Sequence, residues 1–377
     1  MSSSMVRTIC TLAAASAWVA TAAPRWRVQY FYDKYKSTMV IADFQFASPS
    51  RGVAVGEIEE NKHRQPVALV TSDGGAHWQT VDLKATPISI FFLNENLGWM
   101  VATNGLWETT EAGKSWRKVP RFPSGMLRVY FSDEKNGLAA GTKKRVFETH
   151  DAGDHWTAVA AAAEPPGTPN YSVYSWIVFA TPHLGLITGW NSPPHRFPKQ
   201  FPDWMDPEGA VAYRDTPHLT YSMVTKDGGK TWKTASVSTF GDIRRVRLGA
   251  GGNGLGLVEY SNAFRYPSEA YKIDWATGKN STVYRDKKVS ISDVWLGPDG
   301  TAYLAGVTAA GELRNLVPGK VRVLKSRDKE LTVWEDMLVD YRAVALRAFF
   351  AAAPGNNLWL ATDNGMILKL EDTDPVH

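Results

Sequence analysis

Cysteine is nearly missing from this chain: among 377 residues there is one, Cys10. It falls in a segment where Arg7 precedes an apolar stretch from Ile9 to Ala20 and Ala20-Thr-Ala22 offers a small-residue cleavage site, so residues 1–22 read as a secretory signal peptide. Pro24 argues against cleavage after Ala23, and the Arg-Thr-Ile before Cys10 does not look like a lipoprotein cleavage box. A mature chain without cysteine excludes disulfides, thiol catalysis and cysteine-ligated metals. Charge of one sign is also scarce. The formal net charge is +4 with no basic run or stripe, so nucleic acid is not an implied partner. Long apolar runs are lacking after the N-terminus, because the Ala160 to Ala163 stretch ends at Pro165; the chain is expected to be peripheral to a membrane at most. The 8 histidines show no metal-ligand spacing, and neither a Gly-x-Ser-x-Gly elbow nor a phosphate-binding Gly-Lys-Ser/Thr loop occurs. No cofactor and no metal are implied.

What the chain does contain is one turn motif four times: Thr71-Ser-Asp-Gly-Gly-Ala-His-Trp78, Thr109-Thr-Glu-Ala-Gly-Lys-Ser-Trp116, Thr149-His-Asp-Ala-Gly-Asp-His-Trp156 and Thr225-Lys-Asp-Gly-Gly-Lys-Thr-Trp232. Asp73 to Glu111 is about 38 residues, Glu111 to Asp151 about 40, and Asp151 to Asp227 about 76, or two periods. A period near 40 with strand-like content predicts propeller blades of four strands each. In each turn the carboxylate (Asp73, Glu111, Asp151, Asp227) is expected to accept backbone N–H bonds, as Asx-turns do. Glycine supplies the positive φ, and the tryptophan (Trp78, Trp116, Trp156, Trp232) plugs the gap between blades. One carboxylate per turn is too few oxygens for a calcium cage. Glu111 is expected to leave the second turn slightly looser.

The pattern Thr-x-Asp-x-Gly-x-x-Trp resembles the Asp-box, or BNR repeat, of sialidases, sortilin-type receptors and the photosystem II assembly and stability factors. Blades can be counted from a second rule, in which a bulky residue closes the inner strand and glycine follows six residues later. Phe46 to Gly52, Phe92 to Gly98, Phe131 to Gly137, Phe179 to Gly185 and Leu248 to Gly254 obey it, and weaker copies occur at Val294 to Gly300 and at Ala348-Phe-Phe350. The total is an all-β, seven-bladed β-propeller of four-stranded antiparallel blades. The last blade shows strands around Arg342 to Phe350, Asn357 to Thr362 and Met366 to Leu370, and then the chain stops. Trp26-Arg-Val28 matches the segments that follow the other turns, so Arg25 to Tyr32 is expected to be the outer strand of the seventh blade and to close the ring. Residues 23–377 then form one domain with an insertion at about 191–220, rich in proline and in aromatics such as Phe197 and Trp204.

Aligned on the residue six before glycine, the positions three residues earlier read Asp43, Ser89, Arg128, Trp176, Arg245 and Arg347, with Asp293 assigned to the same level in the irregular sixth copy. Equivalent positions on innermost strands form a ring about the axis, so Arg128, Arg245 and Arg347 are expected to converge with Asp43, Asp293 and Trp176. Three guanidiniums from different blades would clamp a carboxylate or phosphate, or acidic side chains of a protein partner. The bland alternative is an internal ion-pair network along the channel. Arg244 and Arg247 flank Arg245, and the insertion adds Arg196 and Trp204 as contact residues.

Among families with this box, the closest fit is to the photosystem II assembly and stability factors. The features that carry the resemblance are the export signal, seven blades and the Phe92 to Trp99 hairpin combined with the Thr71 to Trp78 turn. It implies a non-catalytic lumenal or periplasmic scaffold that binds newly made membrane-protein subunits through an arginine-rich surface. The expectation is therefore an exported, monomeric, periplasmic or secreted propeller (lumenal in a photosynthetic source) that binds a protein, with a membrane-protein subunit as one candidate partner. The competing class is a sialidase-like glycoside hydrolase or carbohydrate-binding propeller. Against it, Phe264-Arg-Tyr-Pro267 and His195-Arg-Phe-Pro198 lie after the third box rather than before the first, the blade count is seven, not six, and Glu259-Tyr260 would point to opposite faces of a strand. No catalytic residue is assigned.

Overall fold

The computed structural model describes residues 22–193, 217–249, 251–260, 266–274, 278–308 and 317–373. Each blade is an antiparallel meander running from the axis outward. Blade one is Ser37–Phe46, Gly52–Glu60, His63–Thr71 and Gln79–Asp82. Blade two is Pro87–Phe92, Gly98–Ala102, Gly105–Thr109 and Arg117–Val119, and blade three is Met126–Phe131, Gly137–Gly141, Arg145–Thr149 and Thr157–Ala158. Blade four is Ser172–Phe179, Gly185–Asn191, His218–Thr225 and Lys233–Thr239; blade five is Asp242–Leu248, Asn253–Glu259, Ser268–Asp274 and Asn280–Arg285. Blade six, Val289–Leu296, Ala302–Thr308, Gly319–Ser326 and Trp334–Asp336, gains an extra pairing from Val344–Ala345. Blade seven is Ala348–Ala353, Asn357–Thr362, Met366–Thr373 and, as its outer strand, the N-terminal Ala22–Phe31.

The ring therefore closes as the sequence predicts, with Trp26 opposite Leu370 and Val28 opposite Leu368. Leu338–Val339 pairs in parallel on the far side of Arg25 and Trp26 and covers the last edge. The first strand of blade seven starts at Ala348, later than the expected Arg342; Val344–Ala345 pairs with blade six instead. The insertion joins the second and third strands of blade four, and Arg196 and Trp204 lie outside the described residues.

The six-residue rule has a steric cause. The rings of Phe46, Phe92, Phe131 and Phe179 lie across Gly52, Gly98, Gly137 and Gly185, where a Cβ would come within 2.4–2.7 Å of them. A larger residue opposite the ring would expel it, so phenylalanine demands glycine there. The phenylalanines then stack against the preceding blade: Phe46 on Trp359 at 3.5 Å and Phe131 on Trp99 at 3.7 Å between ring centroids. Apolar clusters fill junctions between blades in this way, for example Met39, Ile41, Phe44 and Leu69 with Ile367 and Ala361 between blades one and seven.

One further regularity positions the site. In blades one to six the first two strands slip register by one residue, between Ile41 and Asp43, Pro87 and Ser89, Met126 and Arg128, Tyr174 and Trp176, Ile243 and Arg245, and Ile291 and Asp293. Such bulges re-aim the side chain that follows them. Here the re-aimed residue faces the axis. Blade seven has an unbroken register from Ala348 opposite Thr362 to Ala353 opposite Asn357.

Candidate functional site in the channel

Asp43, Arg128, Trp176, Arg245 and Asp293 line one cavity of about 300 Å³ in the channel, joined by Arg247, Trp295 and Phe349. Ser89 is buried and donates to the Leu127 carbonyl at 2.7 Å. The seventh position of the ring is corrected. Asp43 pairs with Val55 three rungs in from the Phe46–Gly52 pair, and the matching rung of blade seven, counted from Ala352–Leu358, is Phe349–Ala361. Phe349 therefore faces the channel and Arg347 does not. The third channel arginine is Arg247, two residues after Arg245 on the same strand and hence on the same face.

Both carboxylates hold blades together as well as cations. Asp43 accepts the N–H of Phe44 at 3.0 Å and, from the next blade, that of Ile90 at 3.0 Å, while its second oxygen also meets Arg128 Nη1 at 2.5 Å. Asp293 repeats the arrangement with the N–H groups of Val294 and Phe350, each at 2.8 Å. Arg245 Nε stands 3.5 Å and Arg247 Nη2 3.6 Å from its oxygens. Asp293 is 1% exposed, so these contacts take the place of its lost hydration.

The guanidiniums meet over one indole. Their carbons lie 5.1 Å (Arg128), 4.6 Å (Arg245) and 5.6 Å (Arg247) from the Trp176 ring, whose N–H donates to the Val246 carbonyl at 2.9 Å. Burial pulls the Arg245 pKa down to about 10; Asp293 opposes that pull, and Arg128 and Arg247 add to it. Arg245 still carries its charge at neutral pH. Three cations against two carboxylates leave one positive charge in excess in this cavity. Forked donors with surplus charge in a half-enclosed channel suit a carboxylate or another planar anion.

Arg347 belongs to a second network, at the end of the strands from which the insertion leaves. It pairs closely with Glu259, which also meets Arg244 Nε at 3.5 Å. Arg244 Nη2 lies 2.8 Å from Asp242, and Asp242 lies 3.0 Å from His218 Nε2, the first residue after the insertion's described gap to begin a strand. Arg244 sits 4.9 Å over Trp190.

The repeated turns show the geometry that their residues call for. Asp73 accepts the backbone N–H of His77 and the Thr71 hydroxyl, both at 2.9 Å, and Thr71 Oγ1 accepts the Gly75 N–H. Backbone and imidazole of His77 hold Asp73 well below the usual carboxylate range. The His155 N–H and imidazole lower Asp151 to about 2, and the Thr231 hydroxyl and N–H do the same for Asp227. Where Asp73 binds a backbone N–H, Glu111 binds the Ser115 hydroxyl at 2.6 Å. Trp78, Trp116 and Trp156 each donate to the carbonyl of the glycine three residues before. A fifth such turn in blade six escapes the sequence pattern. Asp328 accepts the Thr332 N–H and hydroxyl, and Trp334 donates to Leu331, which takes the glycine's place at φ 63°. The turn is one residue longer, which hides it from a fixed spacing.

A tyrosine and a glutamate do meet, away from the channel: Tyr260 donates to Glu269 at 2.9 Å, beside Arg285. Burial and Glu269 push the tyrosine up to about 12, the opposite of what a nucleophile needs. Among the described residues no group of three His, Cys, Asp or Glu side chains is placed to hold a metal ion, and no helix is long and apolar enough to cross a membrane.

No family model matches the chain. The photosystem II assembly lipoprotein Ycf48 of Synechococcus sp. (strain CC9902) is 21% identical over 324 residues, which cover 81% of this chain and 81% of that protein. Among solved structures, the chain is similar to YCF48 bound to D1 peptide, with a TM-score of 0.59 and 16% identity over 94% of this chain and 100% of the other. It is also similar to YCF48 from Cyanidioschyzon merolae, with a TM-score of 0.59 and 14% identity over 93% and 99% of the two chains. The chain is thus a seven-bladed propeller distantly related to Ycf48-like propellers, at low identity.

Proposed function

We propose that this protein is an exported, non-catalytic propeller that binds a partner polypeptide at the arginine-lined channel and serves as an assembly or stability factor for a membrane or envelope complex. The observation that carries the proposal is the convergence of Arg128, Arg245 and Arg247 on Trp176 with one positive charge in excess. An acidic side chain or a C-terminal carboxylate of the partner would complete that cluster. The similarity to a propeller solved with a peptide bound supports the same reading, and a photosystem II assembly role is its narrower form. We read the repeated turns as Asp-boxes serving the fold. Export to the periplasm or beyond follows from the composition of residues 1–22.

A glycoside hydrolase in the same channel would need an acid and a base or nucleophile left available to substrate. Asp43 and Asp293 are instead held by backbone N–H groups and guanidiniums, which favours binding over hydrolysis. Affinity capture from envelope extract tests the proposal, comparing the mature protein with an Arg128→Ala, Arg245→Ala, Arg247→Ala variant of matched melting temperature. A client retained by the wild type and lost by the variant supports it. Equal capture by both removes the channel arginines as the binding site.

A further inference from the structure

The junction between blades six and seven lacks the aromatic packing seen between blades seven and one and between blades two and three. Ala352 pairs with Leu358 on the rung that Phe46 and Gly52 occupy in blade one, so alanine stands where blades one to four carry phenylalanine. At the junctions of blades seven with one and two with three, that phenylalanine stacks on the tryptophan after the paired residue of the preceding blade, Trp359 or Trp99. In blade six the same place is held by Tyr303, which follows Ala302. Between Tyr303 and Ala352 the structure leaves a cavity of about 620 Å³, walled also by Trp295, Pro298, Lys325 and Leu358. Phe350 meets Tyr303 edge-on at 6.4 Å and Lys325 Nζ lies 6.0 Å from the tyrosine ring, so the wall is aromatic on one side and carries a cation beside it.

We infer that this pocket takes an aromatic side chain from the bound partner, in the space that Ala352 leaves beside Tyr303. The pocket adjoins the channel site. Trp295 and Ala352 line both cavities, and Arg247 stands 5.5 Å over the Trp295 ring. One extended segment can therefore present an acidic group to Arg245 and Arg247 and an aromatic residue to the pocket, as a buried anchor beside a charged contact. The volume falls in the range of pockets that enclose small ligands, with room for the ring and its flanking backbone. The inference rests on the partner-binding reading of the channel and adds what the partner must carry.

The test uses the full mature protein with ¹³C-methyl-labelled alanine and two probes, N-acetyl-tryptophanamide and N-acetyl-leucinamide, followed by NMR. The tryptophan probe is expected to shift the Ala352 methyl saturably and to bind roughly fivefold to tenfold more tightly than the leucine probe, the advantage of an aromatic pair. Ala352→Phe, whose ring Leu358 keeps off the sheet and turns into the cavity, should abolish that binding in a protein that its melting temperature shows to be folded. Ala352→Leu, a smaller filling for use if the phenylalanine distorts the blade, should weaken it. An Arg245→Met, Arg247→Met variant should still bind the tryptophan probe, so loss of client capture in that variant alone reports on the channel and not on the pocket. Absence of a saturable shift, equal affinity for the two probes, or undiminished client capture by a folded Ala352→Phe protein would overturn the inference.

Discussion

The channel cluster and the network at the other end of the same strands are made of the same parts, yet they are balanced differently. In the channel, Arg128, Arg245 and Arg247 face Asp43 and Asp293 over one tryptophan. At the other end, Arg244 and Arg347 face Asp242 and Glu259 over Trp190, with His218 as the fifth member. One set keeps a surplus cation; in the other, Arg244 and Arg347 are matched by Asp242 and Glu259. The channel carboxylates also accept backbone N–H bonds from the next blade, whereas among the described residues no such bond reaches the carboxylates of Asp242 and Glu259. Arginine count alone therefore does not mark a binding site; what remains after internal pairing does.

The largest way to test this contrast is to remove a channel carboxylate. Asp293→Ala leaves Arg245 and Arg247 without their partner and opens the Phe350 N–H, and it should cost about 3–5 kcal/mol in denaturant unfolding. Glu259→Gln, by contrast, weakens pairs whose arginines are 36% and 45% exposed, and about 1 kcal/mol or less is expected in the same measurement. A loss of similar size in both would erase the distinction. On the binding side, an Arg244→Ala, Arg347→Ala protein should capture the client as the wild type does, while the channel triple variant does not. The smallest effect separates both clusters from the repeated turns. Asp227 is lowered to about 2 by Thr231, so its contribution is present above the unfolded-state value near 4 and is lost as pH falls toward 2. Asp227→Asn should flatten acid unfolding in that window and leave client capture at neutral pH unchanged.

Much of this was legible in the chain. The spacing from phenylalanine to glycine reported a ring lying on a bare Cα, so it marked the hairpins of blades one to four, whereas the Val294 to Gly300 spacing missed the closing rung of blade six, Leu296 opposite Ala302. Trp26 announced ring closure because it follows the pattern of the other outer strands. Where glycine gave way to Leu358, the same rule had no anchor. There the spacing alone points to Phe350 and Arg347, whereas the register places Ala352 and Phe349 at those positions. Arg247 could have been found by strand alternation from Arg245, since residues two apart share a face. The register slips that aim Asp43, Arg128, Trp176, Arg245 and Asp293 inward have no fixed residue signature, because any side chain can follow a bulge. The fifth turn was hidden by one inserted residue and by Leu331 in a left-handed conformation.

The most direct test of the surplus charge needs no knowledge of the client. Titration of the protein with succinate, followed by the arginine Nε–H and tryptophan indole N–H signals, should give saturable shifts at Arg245, Arg247 and Trp176 and none at Arg244, Arg347 and Trp190. Shifts confined to the second network, or equal shifts in both, would contradict the account.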